Sequence, residues 1–578
     1  MKVKYIISAL VCPFVLGSCA DWDDWKYDVE KPQTIAQYEY LNDYAPLKEY
    51  LDRSAHPGFK VSAALGADEF NQQGPLFRLA AHNFDEIVAG NAMKMASCVN
   101  DQGVMDFSKV SSFVSAAEDA GLTVYGHTLA WHAQQPRKWL EKLIADKELD
   151  VDPSQKTFTE LSRQTYQDGK FPFYQMGCAP DVINGSIHFV PTGDWSQFFC
   201  VSGAALTPGN YAVDVEIKST KSGNIKMTVQ NGWGGDAESC DGTVALKEGW
   251  TTARFKMTLE QGGNYDFILK PETFDATLDL KSVTVKKIVK TNSIPLTPKE
   301  KSDTLTWAMN KWISGMMQAT GGKVKAWDLI NEAISGGGNV NGFYALQTEA
   351  TSEHNPQDFY WQDYFTPEMY GPIVEKAARD AYAAVEGTNP ADLKLFINDY
   401  NLESDWDGNQ KVKSLVYWIG VWEKKGQELG WNTKIDGIGS QMHISYYENP
   451  QTLESKKKAI QNMLKIMVES KKLVRISEID MGYVDKNGND VTTAQLEKLP
   501  IEERVAKEKA MAEYYKWIIE QYFAIVPVSQ QYGICQWCLT DSPADSGWRP
   551  GKPVGLWNLN YQRKPAYGGF ADGLANKK

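Results

Sequence analysis

The segment Val324-Lys-Ala-Trp-Asp-Leu-Ile-Asn-Glu332 gives the clearest indication of the fold class. It is a short and nearly continuous apolar run that ends in two polar residues. Such a run is typical of a strand that is buried on both faces. A second run, Val474-Arg-Ile-Ser-Glu-Ile-Asp480, has the same form and also ends in carboxylates. Strands buried on both faces belong to parallel sheets that are covered by helices.

Six further apolar runs lie before, between and after these two, and amphipathic segments such as 366–386 and 502–522 separate most of them. Eight such strands with helices between them predict the α/β class, as a closed (β/α)8 TIM barrel. The predicted strands are Lys60–Gly66, Asn83–Ala89, Thr123–His132, Val324–Asn331, Lys394–Asn398, Gly437–His443, Leu473–Ile479 and Ile534–Leu539.

Residues 148–298 interrupt this rhythm between the third and fourth strands. Here apolar and polar residues alternate, as in Tyr211–Ile217 and Ala253–Met257, and turn clusters such as 208–210 separate the runs. Short alternating strands at this spacing predict an inserted all-β sandwich. The barrel is therefore expected to comprise residues 20–147 and 299–578.

The first 19 residues have the form of a signal peptide, with Lys2 and Lys4 before an apolar run and Gly17-Ser-Cys19 after it. The segment 16–19 resembles the lipobox of bacterial lipoproteins, which implies lipidation of Cys19. The acidic segment 21–24 resembles a surface-export signal of Bacteroidetes lipoproteins. We therefore expect an exported outer-membrane lipoprotein at the cell surface, attached to the membrane only by its lipid. Plain secretion with cleavage elsewhere is the alternative.

The bulk composition limits the partners. With 43% apolar and 23% charged residues, the chain is expected to be a soluble globular protein and a monomer. The net charge of −13 repels phosphate backbones, so we expect no nucleic-acid partner. The chain has 19 Trp residues. Two interpretations stay open at this point, a Trp-rich core and aromatic surfaces that stack on sugar rings.

Six of the eight cysteines lie beyond the signal region, and six cysteines allow 15 pairings. The sequence does not choose among these pairings. Cys535-x-x-Cys538 could indicate redox or metal chemistry, but no second such pair is present and the context is that of a strand. Buried structural cysteines are favoured there. The six are Cys98, Cys178, Cys200, Cys240, Cys535 and Cys538.

Glu332 and Glu478 are the candidate catalytic residues. TIM barrels carry their catalytic groups at the carboxyl ends of the strands, and these two carboxylates end the fourth and seventh strands. Retaining glycoside hydrolysis needs such a pair. One carboxyl group protonates the leaving oxygen, and the other attacks the anomeric carbon from about 5–5.5 Å away.

Three of the seven histidines, His127, His132 and His443, also fall at predicted strand ends. Three histidines with carboxylates could form a zinc site. None of them shares a helical spacing of the HExxH type, however. Neutral donors to sugar hydroxyls are therefore the favoured interpretation, and neither a metal nor a cofactor is expected.

Several motifs in order along the chain resemble glycoside hydrolase family 10, the retaining β-1,4-xylanases. They cover the barrel from about residue 60 to the end, outside the insert. The matching segments are Gly126–Gln134, Trp327–Glu332, Asn398–Asn401, Gly437–His443, Ser477–Asp480, Gln536–Trp537, Trp548–Arg549 and Lys564–Tyr567.

The resemblance implies a role for each matching residue. Glu332 is the general acid/base, and Glu478 is the nucleophile that His443 keeps ionised. Asn331 binds the 2-hydroxyl group of the sugar before the cut, Gln441 supports the acid/base, and Asp480 lies behind the nucleophile. The implied substrate-binding residues are Asn91, Lys94, His127, Trp131, Gln134, Asn331, Tyr400, Gln441, His443, Trp537 and Trp548.

Trp537 and Trp548 are implied walls of this sugar site. A bulky indole there favours a pentose, because glucose carries an additional CH2OH group. Core packing is the alternative for both. The chain departs from the family pattern at Gly90, where a Glu is usual, and at Met95, where a Trp is usual. This departure is expected to tune the more distant sugar site before the cut, while the catalytic centre is intact.

The insert resembles β-sandwich carbohydrate-binding modules that lie inside xylanases of gut Bacteroidetes. Trp195, Phe198 and Trp233 are its candidate stacking residues, whereas Trp250 at a strand start is expected in the core. Two other functions are compatible with parts of the sequence. A non-catalytic glycan-binding lipoprotein would not need both Glu332 and Glu478, and an enzyme for another β-1,4-glycan would keep the same mechanism.

Overall fold

The computed structural model describes residues 31–576, except 149–156, 167–174, 177–179, 194, 233–236, 240–242, 273–274, 291–292, 353–354 and 356. The predicted signal peptide with its lipidation site Cys19, and the candidate residue Trp233, lie outside the described residues. The chain forms two compact units. One unit comprises the residues up to Ile144 and from Pro298 onward, and the other comprises Ala145–Thr297.

The first unit is a closed barrel of eight parallel strands, as the apolar runs predicted. Each strand pairs with the next, and the eighth pairs with the first. The short strand His443–Tyr447 extends the barrel by pairing with the end of the seventh strand. The barrel strands are β1 Lys60–Ala64, β2 Glu86–Val88, β3 Thr123–Gly126, β4 Ala326–Asn331, β5 Lys394–Asp399, β6 Gly437–Ser440, β7 Leu473–Val484 and β8 Gln531–Gln536.

Helices connect these strands because the intervening segments are amphipathic. Pro450 starts one of them, and Asn449 caps it by accepting a hydrogen bond from Thr452 N at 3.0 Å. Among the described residues, no helix has both the length and the apolar character that a bilayer span requires. The α-helices are Gln33–Ala36, Ala67–Asn71, Pro75–Asn83, Met95–Cys98, Ser108–Asp119, Arg137–Leu143, Pro298–Ala319, Gln362–Phe365, Pro367–Ala383, Gln410–Glu428, Pro450–Glu469, Thr493–Glu497, Ile501–Ile525 and Pro565–Ala575. Short 3-10 helices are Glu39–Asp43, Leu47–Glu49, Pro390–Asp392 and Val528–Gln530.

The inside of the barrel contains a buried ion pair. Arg475 Nη1 donates to Glu86 Oε1 at 2.8 Å, and its guanidinium group lies 3.6 Å from the centre of the Tyr125 ring. Tyr532 donates to the other oxygen of Glu86 at 2.9 Å. A buried charge is costly unless it is paired and hydrogen-bonded. The ion pair and the bond from Tyr532 meet this condition for Glu86, whereas Nε and Nη2 of Arg475 have no hydrogen-bond partner. These side chains form a packed layer inside the barrel.

The second unit consists of two antiparallel sheets that share one core. Val213 and Val215 of one sheet lie in the same buried cluster as Met227 and Phe267 of the other. The first sheet contains, in order, Gly249–Leu259, Gly209–Ser219, Leu278–Lys290, Ser186–Phe189 and Asp181–Ile183, with Thr157–Thr165 also beside Leu278–Lys290. The second contains Ala237–Ser239, Gly223–Asn231, Gly263–Pro271, Gln197–Leu206 and Gln175–Met176, with Val244–Leu246 also beside Gly223–Asn231. Lys147–Glu148 and Ser293–Ile294 pair where the chain enters and leaves this unit.

Two expectations for aromatic residues of the insert are wrong. Phe198 is fully buried in the shared core and cannot stack on a ligand. Trp250, expected in the core, is 51% exposed, because the inward positions of its strand belong to Ala253 and Phe255. Trp195 is 53% exposed, as a stacking residue must be.

The described cysteines carry free thiols. Cys98, Cys200 and Cys535 are buried, and Cys538 is partly buried. Burial raises the pKa of Cys98 and Cys535 to about 12, which keeps these two thiols protonated and poorly reactive. Cys12, Cys178 and Cys240, like Cys19, lie outside the described residues.

Candidate active site

Glu332 and Glu478 line one cavity of about 880 Å³. Glu332 directly follows β4, and Glu478 lies within β7. The same cavity takes in Leu65 after β1 and Trp537 after β8. The barrel thus brings side chains from strands that are far apart in sequence to one opening, as the strand-end pattern predicted.

The backbone of Glu332 is held in an unusual conformation. Its φ angle of 55° lies in the left-handed region that side chains other than glycine rarely adopt. Glu332 N donates to Asn398 O at 2.8 Å, and Gln347 Nε2 donates to Glu332 O at 2.8 Å. These bonds from β5 and from a neighbouring loop stabilise the turn that aims the carboxyl group into the cavity.

A chain of amides connects the two carboxyl groups. Asn331 Nδ2 donates to Glu332 Oε1 at 3.1 Å, and Gln441 Nε2 donates to the same oxygen at 2.8 Å. Asn398 Nδ2 donates to Asn331 Oδ1 at 2.9 Å and to Glu478 Oε1 at 2.8 Å. Three hydrogen bonds in sequence therefore lead from Glu332 to Glu478 and fix their relative positions.

The surroundings of Glu332 favour its protonated form. Burial raises the pKa of Glu332, and the negative charges of Asp399 and Glu478 raise it further. The hydrogen bonds from Gln441 and from Trp131 Nε1, the latter at 3.0 Å, oppose this shift without cancelling it. A carboxylic acid that keeps its proton can donate it to a leaving group.

Glu478 has the opposite tendency. Burial alone would raise its pKa, but the hydrogen bond and charge of His443, the charge of His127 and the hydrogen bond from Asn398 lower the pKa below its usual value. His443 Nε2 lies 3.4 Å from Glu478 Oε2, and its Nδ1 lies 3.0 Å from Asp480 Oδ2. An ionised carboxylate in this position is available as a nucleophile.

His443 carries a positive charge at neutral pH. Burial lowers its pKa, but its hydrogen bonds to Asp480 and Glu478 and their charges outweigh burial and raise the pKa to about 10. Asp480 is held in turn by Arg549 and by Trp548 Nε1, which donates at 2.8 Å. This network behind Glu478 matches the supporting position that the sequence motifs implied for Asp480.

The remaining predicted residues surround the carboxyl groups, with one exception. Lys94 Nζ donates to Asn91 Oδ1 at 2.8 Å and lies 4.8 Å from the centre of the Trp131 ring. Tyr400 does not line the cavity, and its ring instead faces Lys411 Nζ at 3.3 Å. The predicted binding residues that line the cavity are Asn91, Lys94, His127, Trp131, Gln134, Asn331, Gln441, His443, Trp537 and Trp548.

The two indoles at the cavity differ in exposure. Trp537 is partly buried and meets His127 and His443 edge to face, with ring centres 5.5 Å and 6.2 Å apart. Trp548 is 43% exposed and lies 4.5 Å from the His443 ring. Both indoles thus border the open space, and neither is a fully buried core residue.

The two departures from the family pattern lie at one side of the cavity. Gly90 lines it with a φ angle of 52°, and a Cβ atom there would come within 3.1 Å of Leu65 O. Met95 is buried at the start of the short helix Met95–Cys98. Gly90 thus offers no side chain at this position of the cavity, whose lining elsewhere includes the acidic Asp68 and Glu69.

Sequence reasoning missed two polar residues of the site. Asn398 lies in one of the family motifs without an implied role, but it donates hydrogen bonds to both Asn331 and Glu478. Asp328 accepts a hydrogen bond from Tyr125 at 2.6 Å, and its other oxygen lies 2.8 Å from His127 Nδ1. A carboxylate in the middle of an apolar strand was the signal for Asp328.

Among the described residues, one group of three potential metal ligands has its ligand atoms within 4.8 Å of one another. It consists of His127, Asp328 and Glu478. Their atoms already have other partners. His127 Nδ1 is bonded to Asp328, and Glu478 Oε1 accepts from Asn398. His132, the third histidine of the zinc alternative, stacks on Tyr360 with ring centres 5.0 Å apart. His127, Asp328 and Glu478 thus belong to the hydrogen-bond network around the catalytic carboxyl groups.

Comparisons with known proteins show which family the sequence matches. The sequence profile of glycosyl hydrolase family 10 matches residues 50–191 and 283–573. Endo-1,4-beta-xylanase A of Cellvibrio japonicus is 26% identical over 281 residues, which are 44% of this chain and 38% of that protein. Endo-1,4-beta-xylanase A of Thermoanaerobacterium saccharolyticum is 29% identical over 251 residues, or 43% of this chain and 16% of that protein.

The matched region thus spans less than two fifths of the length of these two relatives. The solved structure of Penicillium canescens endo-1,4-beta-xylanase XylE aligns with 92% of this chain and 98% of its own, at 17% identity and a TM-score of 0.49. The matched residues lie in both parts of the barrel sequence and include Glu332 and Glu478. The chain therefore belongs to glycosyl hydrolase family 10.

Proposed function

We propose that the protein is a retaining endo-1,4-β-xylanase, which hydrolyses internal β-1,4 linkages of xylan by double displacement. The observation that carries this proposal is the opposite pKa shift of two carboxyl groups in one cavity. Glu332 is shifted toward its protonated form and Glu478 toward its ionised form. Family membership and the two xylanase relatives support the choice of substrate.

The first step breaks the glycosidic bond. Glu478 attacks the anomeric carbon and forms an ester with the sugar, while Glu332 gives its proton to the leaving oxygen. The developing positive charge on the sugar is stabilised by the neighbouring carboxylate. Asn331 is placed to bind the 2-hydroxyl group, an interaction that strengthens toward the oxocarbenium-like transition state.

The second step releases the sugar. Formation of the ester removes the charge of Glu478, which is one of the causes that raise the pKa of Glu332. The pKa of Glu332 therefore falls, so that Glu332 stays ionised after it has given up its proton and can act as the base of the second step. It accepts a proton from water, the water oxygen attacks the anomeric carbon, and the carboxylate of Glu478 leaves. Two inversions give net retention.

The selectivity for xylose is attributed to Trp537 and Trp548. Both indoles border the cavity beside His443. A ring at this place leaves room for a pentose, whereas the CH2OH group of glucose must find additional space. Activity on cellulose is therefore expected to be much lower than activity on xylan.

We also propose that the enzyme is a cell-surface lipoprotein with an inserted polysaccharide-binding module. The N-terminal motif ending at Cys19 supports lipidation, and the exposed Trp195 of the inserted unit is a candidate contact to polysaccharide. A module of this kind would raise the effective concentration of the barrel at an insoluble chain. Membrane fractionation of Cys19→Ala tests the anchor, because this variant should become soluble.

The proposed activity is tested by release of reducing sugar from xylan and from cellulose. The wild-type protein should act on xylan and yield the β-anomer first, as seen by proton NMR. Glu332→Ala and Glu478→Ala should each lose at least about a thousandfold in kcat/KM. Glu513→Ala, an exposed glutamate on the helix Ile501–Ile525, is the matched control. Near-wild-type activity in either active-site variant would contradict the assignment.

A further inference from the structure

A second cavity lies on the barrel unit, apart from the catalytic one. Its volume is about 530 Å³, which falls within the range of ligand sites in proteins. The cavity is formed by the segment 34–42, by the helices Thr493–Glu497 and Ile501–Ile525, and by residues after β8. None of the described residues that line it also lines the catalytic cavity. The two-step reaction therefore leaves the second cavity without a use.

One loop contributes to both cavities. Asp541 N donates to Trp557 O at 3.0 Å, so the two ends of the segment 541–557 meet. Both of these end residues line the second cavity. The middle of the segment carries Trp548, which borders the catalytic cavity. The second cavity thus lies within the length of this loop from the catalytic opening.

Tyr561 lies at the second cavity in a strained backbone conformation. Its φ angle of 59° falls in the left-handed region, which a bulky side chain rarely adopts. The turn 558–562 holds it there, because Asn558 Oδ1 accepts hydrogen bonds from Asn560 N at 2.9 Å and from Gln562 N at 3.0 Å. Tyr561 is nevertheless 44% exposed. Strain of this kind is typical of functional sites, and an aromatic ring on a fixed turn can meet a ligand without first being ordered.

The charges that line the second cavity compensate one another. Arg504 Nε lies 3.4 Å from Glu508 Oε1, and it also donates to the hydroxyl group of Tyr38 at 2.9 Å. Lys564 Nζ donates to Asp541 Oδ1 at 2.5 Å. Because the acidic and basic side chains nearly balance, the cavity favours an uncharged ligand over an anion or a cation. The lining contains the acids Glu39, Glu497, Glu508 and Asp541 and the bases Arg504, Arg563 and Lys564, and Glu39 is also paired with Lys31.

The uncharged part of the lining fits a sugar ring. Tyr38 and Tyr561 offer phenol groups, and Asn42 and Gln562 offer amides. Ile35, which also lines the cavity, is 55% exposed and adds an apolar surface. A pyranose has apolar C–H faces that pack on such surfaces, and its hydroxyl groups form hydrogen bonds with amides and phenols. A neutral glycan chain therefore matches both the charge and the chemistry of this cavity.

We propose that this cavity, with Tyr561 beside its opening, is a second binding site for the neutral polysaccharide that the barrel hydrolyses. The proposal rests on the proposed function and adds a site that holds the substrate but takes no part in the chemistry. A long chain that occupies this site and the catalytic cavity together is bound more tightly than at either one, because each site raises its effective concentration at the other. A chain too short to reach both gains nothing.

The first test measures the affinity of the full-length protein for soluble xylan by calorimetry, in the Glu332→Ala background so that the polymer stays intact. Tyr561→Asn removes the ring but supplies a residue type that tolerates the left-handed backbone. It should weaken the affinity about fivefold, as expected for the loss of an aromatic anchor, whereas Tyr561→Phe should retain most of the affinity. Leu559→Asn is the matched control, because Leu559 is 50% exposed in the same turn but does not line the cavity.

The second test compares substrates of different length in the active enzyme. Tyr561→Asn should lower kcat/KM for xylan about fivefold and leave kcat/KM for an aryl xylobioside within about twofold, since this short substrate cannot reach the second site. Equal losses on both substrates, or an equal loss of affinity in Leu559→Asn, would overturn the second site.

A failure of the second site is distinguishable from a failure of the proposed function. An inactive wild-type enzyme would contradict the xylanase activity, whereas the calorimetric test uses an inactive background and does not depend on hydrolysis. Xylan and hydroxyethyl cellulose are both titrated, and Tyr561→Asn should weaken the affinity for whichever of them binds. Unchanged affinity for that glycan in Tyr561→Asn, or binding of neither glycan, would contradict the second site.

Discussion

The end of β4 and the end of β7 present the same residue type, a glutamate, in opposite electrostatic environments. Glu332 is buried and lies near the negative charges of Asp399 and Glu478, and all three causes raise its pKa. Glu478 also lies in a barrel strand and is also buried, but the protonated His443 beside it lowers the pKa of Glu478. Neighbouring charges, and not the type of side chain, therefore determine which glutamate is the acid and which is the nucleophile.

The largest expected difference between variants of the two glutamates is in how their activity depends on the leaving group of the substrate. Glu478→Gln removes the nucleophile and should lower kcat on the order of 10⁴-fold or more with every substrate. Glu332→Gln should be as damaging on xylan but far less so on a dinitrophenyl xylobioside, whose leaving group needs no proton. Stopped assays measure kcat of each variant on both substrates. Added azide should restore the activity of Glu332→Ala on the dinitrophenyl xylobioside. Identical substrate profiles for the two variants would contradict the assigned roles.

Removal of the charge beside Glu478 should shift only the acidic limb of the pH profile. In His443→Asn, the pKa of Glu478 rises toward its usual value, because the hydrogen bond and positive charge that lowered it are gone. The reaction needs ionised Glu478, so the acidic limb of kcat/KM should move to higher pH. A fall of about tenfold or more at the optimum is expected, as for a hydrogen bond to a charged group. An acidic limb that stays in place would contradict the role of His443.

Removal of the amide beside Glu332 should shift the other limb. The hydrogen bond from Gln441 lowers the pKa of Glu332, so its loss in Gln441→Ala raises that pKa further. The reaction needs protonated Glu332, and the alkaline limb should therefore move to higher pH. Activity at the optimum should fall by about tenfold or less. A shift of the alkaline limb to lower pH would contradict the effect of Gln441 on the pKa of Glu332.

The smallest expected effect comes from a change that touches neither carboxyl group. Gly90→Ala forces a side chain into a left-handed backbone conformation, with its Cβ atom 3.1 Å from Leu65 O. The free energy of unfolding should fall by about 1–2 kcal/mol, measured by urea denaturation. Both limbs of the pH profile should remain where they are in the wild-type enzyme. A shifted limb would show that loss of stability alone can imitate the electrostatic variants.

The strand ends could be predicted from sequence because parallel strands in a barrel share one direction. A glutamate after β4 and another in β7 must then meet at the same opening. Asn398 and Asp328 could not be given partners in this way, because their hydrogen bonds join strands that lie far apart in sequence. Their pairing depends on side-chain positions that only the closed barrel defines.

The two wrong expectations for the inserted unit differ in whether the sequence pattern could have prevented them. Alternation could have placed Trp250 correctly, since Ala253, Phe255 and Met257 take the inward positions of its strand. Phe198 is different, because the pairing register of its strand with Gly263–Pro271 shifts irregularly. An irregular register moves side chains between faces, and the sequence pattern alone does not reveal it.

The charge of Glu478 helps to keep Glu332 protonated. Carbon-13 NMR titration of labelled glutamate carboxyl groups, in the wild-type protein and in Glu478→Gln, tests this most directly. The wild-type spectrum should place the pKa of Glu332 above its usual value and that of Glu478 below it, and the pKa of Glu332 should fall in Glu478→Gln. A pKa of Glu332 that is ordinary in the wild-type protein, or that does not respond to the loss of Glu478, would contradict the account.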